Sequence, residues 1–62
     1  MTKQEFVDRL RIALKGNVSD TLVADYVNYY EEYISSEVHK GRCEREILET
    51  LGEPRLIART II

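Results

Sequence analysis

A single cysteine, a single proline, three glycines and no tryptophan stand among the 62 residues of this chain. Cys43, being alone, excludes an intramolecular disulfide and suggests no zinc cluster, which fits a reducing cytoplasm. Excess positive charge is also missing. Nine lysines and arginines face eleven aspartates and glutamates, for a net charge of −2. A dedicated DNA-binding domain gains affinity by neutralising phosphates and usually carries a basic surplus, so composition argues against nucleic acid as the main partner. No apolar run approaches the roughly 18 residues needed to span a bilayer. The opening Met1-Thr2-Lys3-Gln4-Glu5-Phe6 shows no signal-peptide pattern. Strand-like alternation is sustained nowhere. A chain this short buries only about 60% of its unfolded surface, and a deep substrate cavity would consume its core. What is present is ordinary for a globular chain: 44% hydrophobic and 32% charged residues, a balance that argues against disorder.

The few glycines and the proline act as punctuation. The spacing predicts helix one over about Lys3–Lys15. Thr2 with Glu5 forms a capping box, in which each side chain satisfies the other's free backbone N–H. Phe6, Leu10, Ala13 and Leu14 share one face, with Val7 and Ile12 flanking it. Gly16-Asn17 stops the helix. Helix two follows the N-cap Ser19 and runs to about Lys40, stopped by Gly41. Its apolar residues, Leu22, Val23, Tyr26, Val27, Tyr29, Tyr30, Tyr33, Ile34 and Val38, cover about half the circumference. Such a wide stripe predicts that helix two is the central element, covered on both flanks. Helix three is expected over Glu44–Leu51, with Ile47, Leu48 and Leu51 inward. Leu51-Gly52-Glu53-Pro54 reads as a tight corner, since Gly suits the position past a helix end and Pro the first position of the next. Helix four then carries Leu56, Ile57 and Ile61. The predicted class is all-α, a small orthogonal helical bundle of three main helices plus a short C-terminal fourth helix, one domain over residues 1–62.

No constellation of residues supports catalysis, a metal or a cofactor. Glu31 and Glu32 are adjacent and diverge on a helix. Glu44, Glu46 and Glu49 suit the start of a helix dipole. Glu37 falls within the apolar stripe, which leaves it either beyond the packed region or paired with a lysine or arginine from another helix. His39 and Cys43 supply two ligands without a third. The tyrosines are more informative. Tyr26 and Tyr30 read as core with hydroxyls at the rim, while Tyr29 lies at the polar edge with Tyr33 next along the same side. Large aromatic groups at a rim are common interface anchors. Arg9, Arg42, Arg45, Arg55 and Arg59 would form a patch if helices three and four align their outer faces, and Arg55 and Arg59 share a face at i, i+4. The candidate partner-binding residues are therefore Tyr29, Tyr33, Arg55 and Arg59, facing a protein partner or a second copy of the domain. The alternative is a small DNA-binding transcriptional regulator that uses the helix three–helix four corner, which Glu44, Glu46 and Glu49 disfavour beside phosphate.

Three stretches resemble the bacterial HAAS domain, the helix-turn-helix-associated α-helical signalling domain. They are Lys3-Gln4-Glu5-Phe6 with Leu10, the block Tyr29-Tyr30-Glu31-Glu32-Tyr33, and Glu46-Ile47 followed by Leu51-Gly52, Pro54 and Ile57-Ala58. Cys43 stands where that family commonly has Ser or Thr. The resemblance implies a cytoplasmic helical module, usually the N-terminal part of a membrane protein and often encoded beside a PadR-like transcription regulator. It implies a non-catalytic role in which the domain binds such a regulator and couples it to a membrane sensor. Direct nucleic-acid binding is not expected, and membrane association would come only through sequence beyond residue 62.

Overall fold

Every glycine of the chain has a positive φ, and each ends a helix. The computed structural model describes residues 1–62 as four helices: α1 Lys3–Leu14, α2 Asp20–His39, α3 Glu44–Leu51 and α4 Pro54–Ile61. The all-α class follows, with two longer helices leading two of eight residues each. The helix ends expected from the sequence fall within one residue of those observed, and local side chains set the starts of α1 and α2. The Thr2 hydroxyl accepts from the Glu5 N–H at 3.2 Å, and the Glu5 carboxylate accepts in return from the Thr2 N–H. The Ser19 hydroxyl accepts from the Leu22 N–H. These bonds satisfy amides that the helix itself leaves free.

The two later corners use backbone geometry. After α2, the Gly41 N–H donates to the Val38 carbonyl and the Arg42 N–H reaches back to the Glu37 carbonyl. This is a Schellman closure, with Gly41 at the left-handed position. After α3, Gly52 takes φ 82° and ψ −158°, a region open essentially to glycine alone. Glu53 then lets Pro54 start α4 at once. Neither Cys43 nor Glu53 makes a side-chain cap bond.

The core joins Phe6, Val7, Leu10 and Leu14 of α1 to Val23, Val27 and Ile34 of α2, Ile47 and Leu48 of α3, and Ala58 of α4. Pro54 is buried with them. The central element is α1, not α2. The shorter helix packs on all three others, while α2 packs on α1 and α3. The wide stripe of α2 misled because tyrosines make up much of it. Tyr26, Tyr30 and Tyr33 are only half-buried and Tyr29 is exposed. A phenol ring can pack its edge on a core and keep its hydroxyl in water. Two further expectations change. Leu51, Ile57 and Ile61 are only half-buried against the core and Leu56 is exposed, so the fully covered residues of α4 are Pro54 and Ala58. Ile12 does not flank the core but stands 74% exposed.

Candidate functional site

From the middle of α2 towards its C-terminal end, Tyr29 and Tyr33 follow each other by one turn, yet they meet different surroundings. Tyr29 is 60% exposed. Its ring meets Tyr30 edge to face at 5.0 Å between centroids, and Tyr30 in turn tilts against the buried Phe6 at 6.1 Å. A chain of rings thus runs from the core to the surface and holds Tyr29 in place from beneath. Burial raises the Tyr30 pKa above the usual phenol value, with smaller contributions from Tyr29 and Tyr26. Tyr30 therefore stays neutral across the physiological range.

Tyr33 is half-buried and interacts with Arg42 of the α2–α3 corner. There the Arg42 guanidinium donates to Glu37 at 2.9 Å, and Lys40 Nζ lies 3.2 Å from the same carboxylate. The hydrogen bond from Arg42, then that from Lys40, holds Glu37 below the usual carboxylate range. Glu37 in return raises Arg42, with a smaller contribution from Tyr33. The basic partners of Glu37 thus come from its own corner, not from another helix. Arg42 also donates its backbone N–H to Glu37. Where such closures usually carry an apolar contact between these two positions, this one carries an ion pair.

Among the other cations, Arg45 pairs with Glu49, Arg11 with Asp8, and Arg9 reaches Glu5 at 3.9 Å. Arg55 and Arg59 pair with no carboxylate. Both are exposed on α4, beside Leu56, which is 59% exposed. The basic patch that forms is not the expected one between α3 and α4. A shallow open cleft is lined by Arg9, Ile12 and Ala13 of α1 together with Glu53, Pro54 and Arg55. A second, lined by Glu53, Arg55, Leu56 and Arg59, continues it. The arginine surface therefore joins α1 to α4. Ile12 was missed as an apolar member of this surface, beside Leu56. The signal was present for Ile12, which at about 100° per residue points away from Leu10 and Leu14.

The structure does not bring the tyrosine pair and the arginine pair together through any bond. No ion pair or side-chain hydrogen bond joins α2 to α4, whose principal neighbour is α1. No three His, Cys, Asp or Glu side chains converge. Cys43 is exposed, and no helix is long and apolar enough to cross a membrane. What the surface offers is an aromatic anchor and a set of unpaired charges, features suited to recognition.

No curated protein and no solved structure matches this chain. The HAAS family model matches residues 5–60, almost all of the four helices and their connections. With its tyrosine-lined second helix and its Gly52–Pro54 corner inside that match, the chain belongs to the HAAS family, whose domains are modules of signalling and protein interaction.

Proposed function

We propose that this HAAS domain is a non-catalytic signalling module that binds a PadR-like transcription regulator and couples it to a membrane sensor, and that Tyr29, Tyr33, Arg55 and Arg59 contact the partner. The observation that carries the reading is the placement of Tyr29. It is a large aromatic group on a rigid helix, braced by Tyr30 and Phe6, and most of its surface is open. Aromatic anchors of this kind give large contact area at low entropic cost and dominate interface energetics. The unpaired arginines add charge that a protein partner can meet with carboxylates.

The test is a titration of the domain against a PadR-like regulator from the same genome. Tyr29→Ala should weaken the association at least tenfold, about 1.4 kcal/mol. Helicity and melting temperature should stay nearly unchanged, since the ring is largely outside the core. A variant that unfolds would make Tyr29 a core residue. Undiminished binding would move the interface to Arg55 and Arg59, the next pair to substitute.

A further inference from the structure

Two of the four helices, α2 and α4, carry charged residues of one sign among Asp, Glu, Lys and Arg. Five acids, Asp20, Asp25, Glu31, Glu32 and Glu37, stand on α2, which carries no lysine or arginine; α4 carries Arg55 and Arg59 and no acid. Glu37 is consumed by the corner, but Asp25 and Glu32 have no ion-pair partner, as Arg55 and Arg59 have none. At about 100° per residue, Leu22, Asp25, Tyr29 and Glu32 fall on one side of α2. All four are exposed, Leu22 at 45%. The result is an amphipathic outer stripe of two apolar and two acidic groups. The α1–α4 surface is its complement, with apolar Ile12 and Leu56 set among Arg9, Arg55 and Arg59. Glu53 lines the same surface and Glu5 pairs with Arg9, so the positive excess of this face rests on Arg55 and Arg59. Within one molecule the two surfaces are not joined by any ion pair.

We infer that the chain self-associates, with the acidic outer stripe of α2 in one copy laid on the arginine-lined α1–α4 face of another. A second copy is the occupant because one molecule carries both halves of the match, in shape class and in charge. A helix lying in a shallow groove with apolar contacts inside and opposite charges outside is a common recognition mode. The contact involves only a few residues on each side, so it falls in the small, transient class of interfaces, below about 1,200 Å² in total. It is therefore expected to be weak and to respond to salt, which screens exposed charges over about 10 Å at 0.1 M. The inference goes beyond the regulator-binding reading and stands without it, because its test needs only the chain itself.

The experiment is sedimentation equilibrium on the purified chain over a concentration series at low and high salt. The average mass should rise above the 7.2 kDa of one copy with concentration at low salt and fall back at high salt. Two charge-reversed variants sharpen the test, R55E/R59E and D25R/E32R. All four positions are exposed, so both variants should keep wild-type helicity by circular dichroism. Each alone should remain monomeric at concentrations where the wild type associates. An equimolar mixture of the two should associate again, because the reversed faces complement each other. A wild type that is monomeric throughout, variants that associate like the wild type, or a mixture that stays apart would each overturn the inference.

Discussion

The first half of this domain and the second are held by different means. In α1 and α2 the starts are capped by side chains, Thr2 with Glu5 and then Ser19, and both helices exceed eleven residues. In α3 and α4 neither start has a side-chain cap, and each helix has eight residues. Isolated helices that short do not form in water, because nucleation costs more than two turns return. The second half therefore exists through the corner at Gly52–Pro54 and through what Ile47, Leu48, Pro54 and Ala58 bury against the first half. Both halves share one core, but side-chain caps add to packing in the first half, whereas the second has packing and its corner without caps, so changes at the two places should differ in kind.

The largest break in this contrast should come from Ile47→Ala. Ile47 is fully buried and is the main anchor of α3. Its truncation should cost about 2–5 kcal/mol, close to complete unfolding for a domain of this size, as read by urea denaturation. Leu51→Ala, at a half-buried position one turn later, should cost clearly less. Equal losses would mean that α3 is held along its whole length and not by one side chain.

Next in size is Gly52→Ala. A Cβ there would meet nothing within 4 Å, yet φ 82° with ψ −158° is strained for any other residue. A loss of about 1–3 kcal/mol is expected from backbone strain alone. A neutral outcome would show that the corner relaxes, and that packing of α4 on α1 tolerates the shift.

Capping gives a smaller and opposite pair of effects. Ser19→Ala should destabilise by about 1 kcal/mol, while Cys43→Ser should stabilise by a similar amount or less, since it supplies the cap that α3 lacks. Thermal melts of the two variants decide this. If Cys43→Ser is neutral, the start of α3 is already satisfied by its surroundings, and the contrast between the halves narrows.

The smallest effect concerns the corner between the halves. Glu37 has a lowered pKa because Arg42, then Lys40, hydrogen-bonds to its charged form. A folded pKa below the unfolded value means that the pair stabilises the fold above the ordinary glutamate range. That contribution is lost as pH falls through this range towards the folded value. Stability curves of wild type and Glu37→Gln should therefore differ at neutral pH and converge in acid. Parallel curves would show that the Arg42 corner is held by its backbone bonds alone.

The four helices, their ends to within a residue and the α3–α4 corner were legible in the sequence. Caps, glycines and the proline act over three or four residues, and their chemistry is the same wherever the chain folds. The exposed Tyr29 was legible too, from its position at the edge of the stripe. What the sequence left open was which flank of each helix would be covered. Half of α2 is apolar by composition, but tyrosines accept either core or water, so periodicity alone made α2 central. Only the tertiary structure gave that place to α1, left Ile12 and Leu56 outside, and gathered Arg9, Arg55 and Arg59 on one face. The physical reason is range: a helix end is settled by its neighbours in the chain, whereas the covering of its faces is settled by residues dozens of positions away.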